Sequence, residues 1–255
     1  MIVVRKILGL ATVQDEGRVG LASQGVPRSG FLVRSLAHAA NAAAGNDPDA
    51  PCIEIFGRFV CVAESNVVVA TERGEARALR AGEELVIDRD PRLRVRYLAI
   101  AGGVDAPVFL GSRSTFAACG LGREIRRGDR VGGARSAVRD RQAPPSVASG
   151  PIRVVLGPDA GGESIAGATF RISTTSDRTG TRLESDARLP TSPGTMPSSP
   201  TVVGAVQLPH GGAPIVIGPD GPVTGGYPIV AVIASTDLDA FHSLPLGAPV
   251  RFVRA

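Results

Sequence analysis

The sequence predicts a mainly β protein with a few short helices. Short apolar runs rich in Val and Ile recur along the chain between Gly, Pro, Asp and Asn residues, as in Val95–Ala101 and Ile229–Ala234. Such runs are typical of strands. Glycine (32) and proline (20) together make up about a fifth of the 255 residues, which favours frequent turns over long helices. The spacing of the runs favours a β-barrel or sandwich over alternating βαβ units.

The predicted elements follow in order from this pattern. Ile2–Ile7 is the first strand, and a helix is predicted near residues 30–44. Ser29 is suited to cap this helix, and residues 45–46 (Gly-Asn) end it. Its apolar positions fall on one face: Leu32, Val33, Leu36, Ala40 and Ala43. Strand-like runs then continue, and a shorter helix is predicted over Ser235–His242.

Composition divides the chain into two halves. Residues 1–140, with the helix, form the predicted N-terminal half, and residues 151–255 form the C-terminal half. Residues 141–150 are predicted to be a linker because the stretch around them lacks periodicity and is rich in small and polar residues. Residues 190–201 have a similar composition but interrupt the second half, so we expect a mobile loop inside a domain there.

Charge and composition exclude several classes of protein. The net charge is +4, but 24 acidic residues are mixed among the basic ones, and no basic run marks a binder of nucleic acid backbones. Aromatic residues make up only 4% of the chain, too few for a platform that stacks bases. Lys6 is the only lysine, so there is no P-loop, and no internal lysine is available to carry biotin.

The cysteines and the apolar runs predict a cytoplasmic protein. The three cysteines, Cys52, Cys61 and Cys119, show no CxxC spacing, and an odd number of them favours buried thiols in a reducing compartment. The N-terminal stretch is interrupted by Arg5 and Lys6 and does not resemble a secretory signal. No run approaches the roughly 18 apolar residues of a membrane span.

Most enzyme signatures are missing from the sequence. HExxH, GxSxG and CxxC are all absent, and no GxGxxG follows a strand. The three histidines, His38, His210 and His242, are scattered, and isolated histidines are more often structural than catalytic. We therefore expect no resident metal site built on His and Cys.

Two polar, glycine-punctuated clusters occur in the first half. Residues 12–18 (Thr-Val-Gln-Asp-Glu-Gly-Arg) place Gln14 and Asp15 in a turn after the first strand. Residues 110–115 follow the Gly-Gly step at 102–103, where a ligand can approach the backbone closely. The side chains that this second cluster offers to an anion are Ser112, Arg113, Ser114 and Thr115. The alternatives are a hydrogen-bonded turn and a solvated loop.

Two further clusters occur in the second half. Residues 176–183 contain Asp177 and Arg178, which are predicted to pair, and Arg182, whose guanidinium suits a carboxylate or phosphate. The alternative is a surface ion pair of small energetic consequence. Residues 220–228 (Asp-Gly-Pro-Val-Thr-Gly-Gly-Tyr-Pro) feed directly into a predicted strand, and sites often lie at such strand ends.

Taken together and in this order, the clusters resemble the family of the 5-oxoprolinase C-subunit, also described as biotin-dependent carboxyltransferase or allophanate hydrolase subunit 2. The similarity runs from about residue 8 to the C-terminus. The stretches that carry it are residues 12–15, 25–30, 39–41, 45–46, 53–54, 97–105, 110–115, 176–178, 206–209, 220 and 224–228.

The resemblance implies a fold, a reaction and partners. The fold would be two linked cyclophilin-like β-barrel halves. The reaction would be the ATP-dependent opening of 5-oxoproline to L-glutamate after the lactam is activated by phosphorylation. The B-subunit of 5-oxoprolinase would be the direct partner, the A-subunit would complete the reaction, and ATP with magnesium would be shared with the partner. Biotin would not be carried by this chain.

The resemblance also selects candidate site residues. The candidates for catalysis are Asp177, Arg178 and Asp220. The candidates for substrate binding are Gln14, Asp15, Glu54, Ser112, Arg113, Ser114, Arg182, Gln207, Thr224, Gly225, Gly226 and Tyr227. Arginines suit the phosphoryl group and the substrate carboxylate, amides and hydroxyls suit the lactam, and carboxylates suit proton transfer or Mg²⁺.

Several positions depart from the family pattern, which leaves other functions open. The departures are at Val33, Thr179, Thr181, Pro222 and Val223. One alternative is a carboxyltransferase subunit that acts on urea or a related amide with a separate biotin carrier. Another is a regulatory module that binds its partner without catalysing a reaction.

Overall fold

The computed structural model describes residues 1–133, 150–185, 189 and 196–255. Its described residues fall into two compact units. The first unit comprises Met1–Arg18 and the described part of Ser29–Val147. The second comprises Val19–Arg28 and the described part of Ala148–Ala255. The predicted linker at 141–150 lies, apart from Gly150, outside the described residues, so the predicted domain boundaries stay a prediction.

The first unit is built on a seven-stranded sheet within the described residues. In chain order its strands are β1 (Ile2–Gln14), β2 (Cys52–Ala63), β3 (Val67–Thr71), β4 (Ala76–Leu79), β5 (Glu84–Ile87), β6 (Arg96–Ile100) and β7 (Arg130–Val131). The strand order is β4-β3-β6-β2-β1-β7, and β5 pairs with β2. All of these pairings are antiparallel.

Two glycines face each other in the pairing of β1 with β2. Gly9 pairs with Gly57, and both have positive φ angles, 116° and 111°. A Cβ atom at either position would lie 2.0 Å from a carbonyl oxygen of the opposite strand. A side chain at either position would therefore collide with the opposite backbone, and glycine is what allows the two strands to approach this closely.

Helix α1 (Arg34–Ala43) covers one side of this sheet. It lies within the predicted span, but Ser29 does not cap it. Val33 occupies the N-cap position and makes no side-chain capping bond, while Ser29 lies further upstream with a φ of 54°. The buried face of α1 packs with Tyr97 and its neighbours in one apolar cluster, while Ile2, Phe59 and Leu98 belong to a second cluster.

The second unit contains a closed barrel. Its strands are β8 (Ile152–Leu156), β9 (Thr169–Ile172), β10 (Gly180–Glu184), β11 (Ser199–Pro200), β12 (Ala205–Gln207), β13 (Ile215–Ile217), β14 (Thr224–Gly225), β15 (Ile229–Ile233) and β16 (Pro249–Arg254). The barrel order is β10-β13-β12-β15-β8-β16-β9, and β11 pairs separately with β14. Two short helices accompany it, α2 (Gly162–Ile165) and α3 (Leu238–Ser243).

Aromatic packing closes one part of the barrel core. The Phe252 ring lies 5.8 Å from that of Phe170 and 6.0 Å from that of Phe241, measured between centroids. All three side chains are buried. Phe241 lies on α3, so this contact fixes the helix to the barrel through apolar burial.

The predicted fold class is confirmed, with a difference between the units. The chain is mainly β with short helices, and the helix predicted over Ser235–His242 is present as a 3₁₀ turn followed by α3. The second unit is a closed barrel, whereas the strand pairings described for the first unit form an open path. In the described part of the chain, no helix is long and apolar enough to cross a membrane.

Candidate functional site

Asp15 joins the first two polar clusters. It follows β1, and its carboxylate accepts hydrogen bonds from the Ser112 hydroxyl (2.6 Å), the Ser114 hydroxyl (2.5 Å) and the backbone amides of Arg113 (2.6 Å) and Gly17 (2.8 Å). Burial alone raises the pKa of Asp15, but these donors outweigh burial and lower the pKa below 3.8. Asp15 and both serines therefore satisfy each other and fix the loop that carries Arg113.

Gln14 is fully buried beside this loop. Its Nε2 donates to the Thr12 hydroxyl (3.1 Å) and to the Thr115 carbonyl (3.2 Å). Its Oε1 has no partner among the described residues. Arg18 is also buried and donates from Nη2 to the Ser114 carbonyl (2.5 Å). The two side chains thus bind the carbonyl groups of two consecutive residues, Ser114 and Thr115.

Glu54, a candidate for substrate binding, lies beneath the start of α1. It is fully buried on β2, and Oε2 accepts from the Tyr97 hydroxyl (2.6 Å) and from the Leu32 amide (2.9 Å). The Tyr97 oxygen in turn accepts from the Val33 amide (2.9 Å). These bonds satisfy backbone amides at the start of α1 that have no helical partner. Burial, followed by the charge of Glu54, raises the pKa of Tyr97 well above 10.

A cavity of about 490 Å³ opens in the first unit. Val13, Val104, Ile125 and Val131 contribute apolar surface to its lining, and Arg113 contributes a guanidinium. The volume lies within the usual range for small-molecule sites. The sequence predicts Arg113 and Thr115 as residues that bind an anion. It does not predict the rest of the lining, because those residues come from separate stretches of the chain.

In the second unit, the third and fourth clusters meet at one ion pair. Arg178 donates to Asp220 through Nε (2.7 Å) and Nη2 (3.0 Å), and both side chains are almost fully buried. The bidentate partner of Arg178 is thus Asp220, whereas the sequence predicts Asp177. Asp177 is exposed and accepts from the amides of Thr179 and Gly180, which closes its own turn.

Gln207 and the segment 224–228 form a second contact in this unit. Gln207 is buried on β12, and its Nε2 has no partner among the described residues. A Cβ atom at Gly225 would lie 2.6 Å from that nitrogen, so the absence of a side chain there makes room for the amide. Tyr227 is 43% exposed, and its ring lies edge-on to His210 at 6.3 Å.

The remaining candidates lie apart from these contacts. Arg182 and Thr224 are exposed, and Gly226 is open to solvent. Sequence reasoning also missed an arrangement at α1, where Glu16 accepts from Arg34 and from His38, the latter at 2.6 Å. The spacing of 34 and 38, one helical turn, is the signal that would have shown it.

The four candidate carboxylates already accept hydrogen bonds from donors of this chain. Asp15, Glu54, Asp177 and Asp220 each bind their own protein donors, as described above. In the part of the chain that the structure describes, no three His, Cys, Asp or Glu side chains are grouped to hold a metal ion.

Residues 24–254 match the family model described as "Carboxyltransferase domain, subdomain A and B". The chain belongs to this carboxyltransferase domain family.

Individual relatives refine this placement. The chain is 33% identical to the C-subunit of 5-oxoprolinase from Escherichia coli. The alignment is 271 positions long and covers 95% of this chain and 87% of that protein. It is 27% identical to urea amidolyase of Lachancea kluyveri, over 95% of this chain but only 16% of that protein. The crystal structure of TTHA0988 superimposes with a TM-score of 0.86 at 29% identity and covers 98% of this chain. This chain spans about half, 55%, of that longer chain.

Proposed function

We propose that this chain is the C-subunit of an ATP-dependent 5-oxoprolinase, which acts with the B-subunit to open 5-oxoproline to L-glutamate and depends on the A-subunit to complete the reaction. The supporting observation is the match to the Escherichia coli C-subunit over 95% of this chain and 87% of that protein. The two chains correspond over nearly their whole lengths. The urea amidolyase, in contrast, is matched over only 16% of its length.

The chemistry of a lactam explains why such an enzyme needs ATP. A lactam is an amide stabilised by resonance, so water attacks its carbonyl slowly. Phosphorylation of the oxygen makes a better leaving group, and cations or amide dipoles stabilise the charge that moves. Because this chain's carboxylates already bind protein donors, we propose that ATP and magnesium are held chiefly by the partner. This chain's part is then to bind and orient the substrate.

Two alternative functions have observations in their favour. The urea amidolyase relative and the name of the family favour a carboxyltransferase subunit that acts on urea with a separate biotin carrier. The departures at Val33, Thr179, Thr181, Pro222 and Val223 favour a regulatory module. For each of these functions we propose a cytoplasmic location, as the sequence predicts.

Co-expression with a 5-oxoprolinase B-subunit tests the proposal. The purified pair is assayed for ATP hydrolysis that depends on 5-oxoproline, with each chain alone as a control, and glutamate is measured after the A-subunit is added. Turnover that needs both chains supports the proposal. ATP hydrolysis that depends on urea and a biotinylated carrier, with none on 5-oxoproline, would establish the carboxyltransferase function instead. A stable complex without turnover on either substrate would favour the regulatory function.

A further inference from the structure

We infer that the cavity of the first unit is a binding site for a small carboxylate with an apolar body, and that Arg113 is the residue that binds the carboxylate. The inference that this carboxylate belongs to 5-oxoproline rests on the proposed function. Three observations support the carboxylate site: the free donors of Arg113, the low exposure of its side chain, and the apolar lining of the cavity.

Arg113 has donors to spare. Its Nη1 donates to the Ala106 carbonyl and lies 3.5 Å from Asp105 Oδ1. Its Nε and Nη2 make no hydrogen bond to any described residue. A guanidinium carries five N–H donors in a planar fork, and a carboxylate accepts two of them side by side. Because one nitrogen is anchored to the backbone, the side chain is already ordered before a ligand arrives.

The charge of Arg113 is the least solvated of the guanidinium charges that line the cavity. Its side chain is 31% exposed, whereas Arg123 is 63% and Arg130 is 68% exposed. Arg123 is also committed to Asp129 through two bonds of 2.7 and 3.0 Å. Charge pairs gain strength as water is excluded, so a ligand carboxylate binds best at Arg113.

Three carboxylates line the cavity, Asp105, Glu124 and Asp129. The one that contacts Arg113, Asp105, is weakly placed. Asp105 is 72% exposed, and its separation of 3.5 Å from Arg113 exceeds that of a good charged hydrogen bond. Exposed pairs of this kind contribute little. Asp105 therefore gives way at low cost when a ligand carboxylate arrives.

The rest of the cavity selects the body of the ligand. Val13, Val104, Ile125 and Val131 are buried and give the lining an apolar character. The loop bearing Arg113 is held from behind by Asp15, which accepts from the Arg113 amide at 2.6 Å. Binding therefore requires little ordering of the backbone. A small ring or branched chain with one carboxylate satisfies both the apolar lining and the guanidinium.

Three probes separate the parts of this inference. 5-Oxoproline carries a ring lactam and a carboxylate, 2-pyrrolidinone carries only the lactam, and cyclopentanecarboxylate carries only the carboxylate. Binding to the full chain, alone and in complex with the B-subunit, is measured by calorimetry. We expect the two carboxylates to bind and 2-pyrrolidinone to bind at least tenfold more weakly, since the charge-assisted bonds are lost.

Variants of the lining identify the residue responsible. Arg113→Gln is expected to weaken binding of both carboxylates by about tenfold or more. Arg58→Gln changes an exposed arginine of the same unit that pairs with Asp88 and does not line the cavity, and it should change binding less than twofold. Ala106→Leu fills the cavity without removing a charge and is also expected to abolish binding. It keeps the test decisive if Arg113→Gln folds poorly, which thermal unfolding would show.

The outcomes distinguish the inference from the proposed function. If cyclopentanecarboxylate binds through Arg113 but 5-oxoproline neither binds nor turns over, the carboxylate site stands and the proposed function fails. If the complex turns over 5-oxoproline and Arg113→Gln leaves its KM unchanged, the proposed function stands and the carboxylate site is overturned. Binding of neither carboxylate to the chain or the complex also overturns the site.

Discussion

Arg178 and Asp220 form a bidentate ion pair that joins two loops separated by 42 residues of sequence. The side chains are only 8% and 11% exposed. Removing Asp220 takes away two charged hydrogen bonds from a guanidinium that is poorly solvated. Asp220→Ala is therefore expected to lower the free energy of unfolding by about 3 kcal/mol, measured by urea denaturation.

The double variant Arg178→Met, Asp220→Leu separates the structural role from the catalytic role. We expect it to recover most of the stability lost in Asp220→Ala, because apolar side chains of similar volume replace buried pairs at little cost. Turnover of 5-oxoproline by the complex that contains this variant would show that the pair is structural. A well-folded double variant without turnover would support the predicted catalytic role of both residues. Equal stability of all three proteins would contradict the first expectation.

The stability provided by Asp15 is expected to depend on pH. Its folded-state pKa is lowered below 3.8 by its hydrogen-bond donors, despite burial, so the unfolded chain takes up a proton first as the pH falls. This stabilisation is fully present above the unfolded pKa and is lost as the pH falls through the folded pKa. Asp15→Asn should cost about 2 kcal/mol at pH 7 and distinctly less at pH 3.

Urea denaturation of the wild type and Asp15→Asn at both pH values measures this difference. Asp49→Asn is the matched control, since Asp49 is exposed and makes no bond to any described residue. It should have no effect at either pH. If Asp15→Asn lowers the free energy of unfolding equally at pH 3 and pH 7, the charge of the carboxylate does not contribute to stability.

The Tyr97 hydroxyl is expected to stabilise the start of α1. It donates to Glu54 at 2.6 Å and accepts from the Val33 amide at 2.9 Å. Tyr97→Phe leaves both groups short of a partner in a fully buried place, so we expect a loss of about 2 kcal/mol. Hydrogen exchange should show faster exchange of the Val33 amide. Tyr227→Phe removes a hydroxyl from a 43% exposed side chain and should change stability by less than about 0.5 kcal/mol.

The three thiols are expected to differ sharply in reactivity. Cys119 is exposed, whereas Cys52 and Cys61 are buried. Burial, followed by the charge of Glu84, raises the pKa of Cys61 to about 12, so very little of the reactive thiolate forms at pH 8. Burial also raises the pKa of Cys52 well above 9.

Mass spectrometry after brief treatment with iodoacetamide tests this order. We expect one label per native chain, on Cys119, and three labels after unfolding in urea. Cys119→Ser should remove the fast label and leave the others unchanged. Rapid labelling of Cys52 or Cys61 in the native protein would mean that the first unit opens much more readily than its packing indicates.

The sequence was sufficient for the class of fold and the position of α1, because apolar periodicity and Gly-rich turns are local signals. It was not sufficient for contacts between distant stretches. Asp15 is 97 residues from Ser112, and Arg178 is 42 residues from Asp220. The sequence favours the neighbouring Asp177 as the partner of Arg178, because only local pairs are visible in it. The order of the strands in a sheet decides which residues far apart in sequence make contact. The spacing of motifs along the sequence does not show that order.

Gly225 has no side chain, and this leaves room for the buried amide of Gln207. A Cβ there would lie 2.6 Å from Gln207 Nε2 and 3.5 Å from Thr201 Cγ2. Because the nearest atom is the end of a flexible side chain, Gly225→Ala should cost less than about 1 kcal/mol of stability. The amide must move, however, and its free donor is then lost to any ligand.

If Gln207 binds substrate, as the sequence predicts, Gly225→Ala should raise the KM of the complex with the B-subunit for 5-oxoproline by about tenfold, as should Gln207→Leu, since each removes one hydrogen bond. Gly211→Ala is the matched control, because Gly211 is not a candidate site residue and a Cβ at that position meets no described atom within 4 Å. It should leave both stability and KM close to those of the wild type. An unchanged KM in Gln207→Leu would exclude Gln207 from substrate binding and leave Gly225 with a structural role alone.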